Sequence, residues 1–322
     1  MKKRSFIKTV SLAVGLALLG HSAIAQTYPS RPIRMVVPFP AGAATDLAAR
    51  VIGQQVSVSL GQPVVVDNKP GAGGSIAAME VIRSAPDGYT LLFSSNSAIS
   101  SNVALLKNIP YDPNKDFSAI AGAGETALVL MVKANFPVKT LQDLVAYVKQ
   151  RPGKVTAGYG SSSSQTSVAM LNKMAAIDTL AVPYKGIPLA INDVLGGTTD
   201  YTFADVGNAL AQTKGGTMRA LGVTSSTRSP LAPDVPAIAE VLPGFDITAW
   251  FALVGPAGMS REVVDKLNTA TTQAIKTPEM KEKLALIGLS PMPMRPEQLK
   301  TFIGTEITKW TRLVKDANIE PQ

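Results

Sequence analysis

The sequence predicts an α/β protein of two lobes, each a mainly parallel sheet flanked by helices, with a hinge cleft between them. Three observations carry this. Short apolar, β-branched runs alternate with segments whose apolar residues recur at helical spacing, the pattern of strand-helix-strand units. Glycine-, proline- or serine-rich loops leave the ends of several strands, where open α/β sheets place their ligands. The 322 residues are long for one core and comfortable for two, and 46% hydrophobic with 17% charged residues describes an ordered globular chain.

The elements follow in order. Ile33 to Val37 (IRMVV) reads as the first strand, and the turn Pro38 to Ala44 (PFPAGAA) follows it. Thr45-Asp46 then opens a helix with apolar positions at Leu47, Val51 and Val58. Val64 to Val66 is the second strand, and Asn68 to Ser75 is a glycine-rich turn into another helix. Asp87-Gly88 turns the chain into a third strand, Tyr89 to Ser94. A second series starts near Thr126. Its apolar run Ala127 to Val132 fits a strand covered on both faces. Thr140 and Asp143 have the spacing of a capping box before the amphipathic helix through Leu141, Leu144, Val145 and Val148. Strand Val155 to Tyr159 ends in Gly160 and the run Ser161 to Ser164, ahead of a helix through Val168, Leu171 and Met174. Leu180 to Tyr184, a helix from Pro188 to Leu195, and strands Tyr201 to Ala204 and Arg219 to Val223 come next. Pro230 to Pro243 reads as a wrapping connection. Trp250 to Val254 is one more strand, before helices Arg261 to Lys276, Pro278 to Ile287 and Pro296 to Lys315. With crossovers near Glu125 and Trp250, residues 26–124 and 250–322 form a discontinuous first lobe and residues 125–249 a second.

The amino terminus reads as an export leader. Lys2, Lys3, Arg4 and Lys8 precede the apolar run Val10 to Leu19, and Ala23-Ile24-Ala25 sets cleavage near Ala25, so residues 1–25 are a signal peptide. The run is shorter than the roughly 20 residues that span a bilayer. The chain has no cysteine and one histidine, His21, which lies in that leader. The exported chain therefore has no imidazole base, no Ser-His-Asp triad and none of the usual zinc or copper ligand sets. Setting aside the four leader cations leaves 27 basic residues against 23 acidic ones, a net charge of +4. These charges are interspersed, without a Lys/Arg cluster, which argues against nucleic acid as a partner.

The loops hold what function the residues can show. At the turn Pro38 to Asp46, Gly42 can take a positive φ, and amides at the helix start near Thr45 suit a carboxylate or phosphate. The alternative is an ordinary connection capped by Thr45 or Asp46. The turn Asn68 to Ser75 lacks the GxxxxGK[ST] lysine and fails GxGxxG at Ile76, so nucleotide is disfavoured. Ser161 to Ser164 with Thr166 either makes a second anion cradle facing the first or is a polar loop with one capping hydroxyl. Trp250 and Phe251 read as core or hinge packing.

Over the whole exported chain these segments resemble the Bug (Bordetella uptake gene) receptors, the extracytoplasmic binding proteins of tripartite tricarboxylate transporters. The resemblance rests on Tyr28 to Ile33, Val37 to Gly42 with Thr45-Asp46, Asn68 to Gly74, Pro86 to Leu91, Val182 to Gly186, Leu195 to Gly197 with Asp200, Arg228 to Pro230 with Asp234 to Pro236 and Glu240, Trp250, and Pro256 to Gly258. It implies a type II-like, two-lobed periplasmic binding protein that closes over a small carboxylate-bearing solute and delivers it to membrane subunits of the transporter. It implies no catalytic residues, no cofactor and no metal, and nothing points beyond a monomer. Carried over position by position, the binding residues are Phe39, Ala41, Gly42, Thr45, Asp46, Ser95 and Asn96 in the first lobe and Ser162, Ser163, Thr166 and Asp205 in the second. The second-lobe loop departs from the family pattern, with Ser163, Ser164 and Gln165 in place of small residues and Ala169 at a histidine position. An exported hydrolase or transferase, or a ligand sensor for a signalling partner, are the competing readings.

Overall fold

A computed structural model describes residues 28–321; the leader expected over residues 1–25 lies outside the described residues. In chain order the elements are β1 (Ile33–Val37), α1 (Ala44–Leu60), β2 (Val64–Asn68), α2 (Ser75–Ile82) and β3 (Thr90–Ser95). A wide, π-helical turn, Ser97–Ser101, runs into α3 (Asn102–Leu105), then α4 (Pro113–Asp116) and β4 (Phe117–Lys133). The middle of the chain forms α5 (Leu141–Lys149), β5 (Val155–Tyr159), α6 (Ser162–Ala175), β6 (Thr179–Pro183), α7 (Ile187–Gly196), β7 (Tyr201–Asp205), α8 (Val206–Lys214) and β8 (Met218–Val223). The remainder is β9 (Thr248–Pro256), α9 (Arg261–Lys276), α10 (Pro278–Leu286), β10 (Ser290–Met294) and α11 (Pro296–Asp316).

The strands join in the order β2-β1-β3-β9-β4-β7-β5-β6, with β8 and β10 both added on β4. Two parallel triplets, β2-β1-β3 and β7-β5-β6, sit at the ends of this path. Between them lie the antiparallel pairings of β9 and β4. The 17-residue β4 is shared between the two halves. Its first part, Phe117 to Ala127, pairs with β9, and its second part, from Leu128, pairs with β7 and β8. The switch falls where the Leu128 amide donates to Thr224 Oγ1 at 2.9 Å and Thr126 Oγ1 donates to the Gly288 carbonyl at 2.7 Å.

The expected strand began at Ala127, and the structure extends it back to Phe117. Residues 117–125 include Gly122 and Gly124, which weaken a strand signal. They are needed because β10 approaches closely: a Cβ at Gly122 would lie 2.6 Å from the Met292 carbonyl oxygen. β10 itself, SPMPM, carries two prolines and gives no strand signal in sequence.

Each half has its own core. Val36, Leu92, Trp250, Leu299 and Ile303 belong to one, and Leu128 to Val132, Tyr201, Phe203 and Phe245 to the other. Helix α11 serves both, placing Leu299 and Ile303 in the first and Trp310 in the second. Between them the buried Glu306 accepts hydrogen bonds from Trp250 Nε1 at 2.7 Å and Trp310 Nε1 at 3.0 Å on one carboxylate oxygen. Two indole donors on one oxygen, with Lys309 Nζ 3.9 Å from the other, make this buried carboxylate tolerable.

Candidate functional site

Four strand-helix junctions meet between the two halves. At the first, Val37 leads through Phe39 and Gly42, whose φ of 82° suits glycine, into α1. Helix α1 begins at Ala44 with Ala43 as its N-cap and no side-chain cap, so the alternative of a cap from Thr45 or Asp46 is not met. Asp46 instead folds back within its own turn. Its Oδ2 accepts the Gly42 amide at 3.0 Å, and its Oδ1 takes Asn68 Nδ2 at 2.9 Å and pairs with Arg50 Nη2 at 2.9 Å. Burial alone pushes this carboxyl up, but Arg50, the Gly42 amide and Asn68 outweigh it and hold it below the usual range. Asn68 Nδ2 also donates to the Phe39 carbonyl at 2.9 Å, tying the end of β2 to this turn.

The second junction follows β3. Asn96 and the turn Ser97–Ser101 are buried and polar, with Ser100 Oγ donating to the Asn96 carbonyl at 2.9 Å. The third follows β5. Ser161 caps α6, accepting the Ser164 amide at 3.2 Å, while Ser164 Oγ accepts the Ser161 amide at 3.0 Å. The serine run is thus the cap and first turn of a helix, because serines three residues apart complete a reciprocal box. That turn directs Ser162 and Ser163 across to the second junction. Asn96 Nδ2 lies 3.2 Å from both hydroxyls, and Ser162 Oγ lies 2.8 Å from Ser97 Oγ and 2.7 Å from Ser101 Oγ. The fourth junction places Asp205, 7% exposed, as N-cap of α8 without a capping hydrogen bond from its side chain.

Two adjoining cavities occupy this meeting place. The inner one, about 20 Å³, is walled by Phe39, Ala43 to Thr45, Ser95, Asn96, Gly160, Ser161, Ser163, Ile187, Asp205, Ala249 and Phe251. That volume holds about one water. The outer one, about 360 Å³, shares Phe39, Gly160 and Ser161 and adds the Gly71 to Gly74 turn, Ser97, Ser162, Tyr184 and Lys185 among its walls. The starts of α1, α6 and α8 therefore converge on the inner chamber, whose wall holds no lysine or arginine, and helix amino termini of this kind favour an anion. Asp205 is its one ionisable group, and burial pushes that carboxyl up to about 6.

The expected residues divide accordingly. Phe39, Thr45, Ser95, Asn96, Ser163 and Asp205 wall the inner chamber, and Ser162 the outer cavity. Ala41, Gly42, Asp46 and Thr166 wall neither; Gly42 and Asp46 shape the first turn, and Thr166 is fully buried behind Ser163 in α6. Sequence reasoning missed Ala43, Ala44, Ile187 and Ala249, which line the chamber with backbone or an apolar face and have no chemical signature. Phe251, read as packing, is a chamber wall. Among the described residues no cluster of His, Cys, Asp or Glu has metal-binding arrangement, and no helix is long and apolar enough to cross a membrane.

The family model described as tripartite tricarboxylate transporter family receptor matches residues 48–319. The chain belongs to that family. This receptor is 36% identical over 322 residues to protein BugT of Bordetella pertussis, covering 98% of each chain. Among solved structures, Rpa4515 of R. palustris with adipate superposes with a TM-score of 0.89 at 31% identity, over 92% of this receptor and all of that chain. The periplasmic binding protein BugD gives 0.87 at 33% identity over 92% and 100% of the two chains. MatC from Rhodopseudomonas palustris with bound malate gives 0.84 at 33% identity over 89% and 100%. The fold is that of a two-lobed periplasmic binding protein.

Proposed function

We propose that this receptor captures a small carboxylate-bearing solute between its lobes in the periplasm and delivers it, chemically unchanged, to the membrane subunits of a tripartite tricarboxylate-type transporter. The lobes are residues 26–124 with 250–322, and residues 125–249, and the leader is cleaved near Ala25. The observation that carries the reading is the convergence of three helix starts with Thr45, Asn96 and Ser163 on a chamber between the halves whose wall holds no basic side chain. Such a site favours an anion held by main-chain amides and hydroxyls. Charge-assisted hydrogen bonds of roughly 1.5–3 kcal/mol each bring micromolar affinity, about −8 kcal/mol, within reach of a handful of contacts. Relatives of the same fold are described with adipate and with malate, both carboxylates. In a chamber of about 20 Å³ a carboxylate enters only as the halves part, so capture and closure are one event.

The binding residues of this reading are Phe39, Thr45, Ser95, Asn96, Ser162, Ser163 and Asp205, with Asp46 bracing the first turn. The test is a thermal-shift screen of the purified protein against a carboxylate panel, followed by mass spectrometry of the recovered ligand. A compound that raises the melting temperature saturably and returns intact supports a receptor; turnover would favour an exported enzyme.

A further inference from the structure

Building on the carboxylate-receptor reading, we propose that Asp205 selects the solute: the inner chamber takes a carboxylate bearing a hydrogen-bond donor, an amino or hydroxyl group, on the neighbouring carbon, and Asp205 accepts that donor. Apart from Asp205 and the apolar walls, the chamber offers donors that can satisfy a carboxylate. The amides at the starts of α1 and α6, the Asn96 amide and the hydroxyls of Thr45 and Ser163 all donate. Asp205 is the exception, a nine-tenths buried acceptor in the same wall with no ion-pair partner among the described residues. Its own main-chain amide and the Asn208 side-chain amide come near it without completing a hydrogen bond, and the carboxylate does not cap its own helix. A plain dicarboxylate would bring a second negative charge beside it in a space without a compensating cation, which disfavours either the ligand or the ionised state of Asp205. A donor on the ligand removes that conflict and gives the buried acceptor its partner.

The walls facing Asp205 from α1, β3, α6, α7 and β9 present Thr45, Ser95, Ser163, Ile187 and Phe251, and its β4 neighbour is Leu128, so no charged side chain tunes it from across the chamber. Its carboxyl, pushed by burial to about 6, is ionised at neutral pH and protonated in mildly acidic medium. Protonated, it loses its charge and can donate to a plain carboxylate. Unsubstituted dicarboxylates then bind better as pH falls.

The experiment is calorimetric titration of the mature protein at pH 5.5 and 7.5 with matched probes: succinate, malate and aspartate; glutarate, 2-hydroxyglutarate and glutamate; adipate and 2-aminoadipate. In the series that fits, the donor-bearing member binds about tenfold tighter than the unsubstituted one at pH 7.5. The unsubstituted member gains about tenfold between pH 7.5 and 5.5. Asp205→Asn, which keeps the size of the side chain, abolishes the pH gain and narrows the discrimination; its melting curve checks the fold, and the wild-type pH comparison does not depend on it. Equal binding of substituted and unsubstituted probes, a flat pH response, or discrimination unchanged in Asp205→Asn overturns the role of Asp205 and leaves the receptor reading standing. Failure of every probe to bind the wild-type protein overturns both.

Discussion

Asp46 shows how a residue at a binding loop can serve the loop and not the ligand. Its carboxylate receives the Gly42 amide, Asn68 and Arg50, and its side chain is 3% exposed, so little of it is left to meet a solute. Asp46→Ala should therefore destabilise the fold by about 2–4 kcal/mol in urea denaturation, with Asp46→Asn intermediate because one acceptor oxygen remains. An unchanged midpoint in Asp46→Ala would return the residue to the ligand. The pH dependence has a definite sign. The folded-state pKa lies below that of an ordinary carboxylate, so this contribution is complete above the ordinary value and is lost as pH falls through the lower folded one. Composition and motif spacing could point to Asp46 but could not say which way its carboxylate turns, because the deciding partner, Asn68, arrives from the end of another strand.

At the scale of elements, helix boundaries were legible where caps and periodicity agree. The Thr140–Asp143 box opens α5 as spacing indicates, and α9 runs from Arg261 to Lys276 as expected. Strands were legible where short, mostly apolar or β-branched runs end in a turn-forming loop, as in β1 and β5. The amino-terminal part of β4 and all of β10 were hidden, since glycines and prolines there serve close backbone approach and an added strand at the cost of propensity. The serine run was legible as polar but not as helical, because serine favours caps and turns and only the Ser161–Ser164 reciprocity decides for a helix start. Ser161→Ala should cost about 1 kcal/mol of stability through loss of that cap, measurable by thermal or denaturant melting. Helix α11 has the larger structural duty, since Glu306 joins an indole from each core. Glu306→Ala strands both indole donors in buried surroundings and should cost about 3 kcal/mol or more; a loss below about 1 kcal/mol would show that packing alone holds α11 across the halves.

For the whole molecule, the two halves and their junctions could be foreseen, while the closeness of their approach could not. Pro40 in the first turn packs on Gly186 at the start of α7, where a Cβ would lie 2.6 Å from two Pro40 side-chain carbons. Gly186 has an extended φ of 180°, open to any residue, so glycine is required there only by the facing half. Gly186→Ala should leave melting within about 1–2 °C of wild type while shifting small-angle scattering toward a more open form and weakening solute binding by about tenfold. An alanine variant that closes and binds normally would show that Pro40 yields easily.

In the proposed receptor, main-chain amides of converging helix starts, with Asn96 and Ser163, hold the solute's carboxylate. A crystal structure of the receptor with its bound carboxylate tests this most directly. Carboxylate oxygens are expected within about 3.2 Å of the amides opening α1 and α6, with Asn96 donating to the same group. A carboxylate seated instead on Lys185 in the outer cavity, with the inner chamber still closed by the Asn96–Ser163 contact, would contradict it.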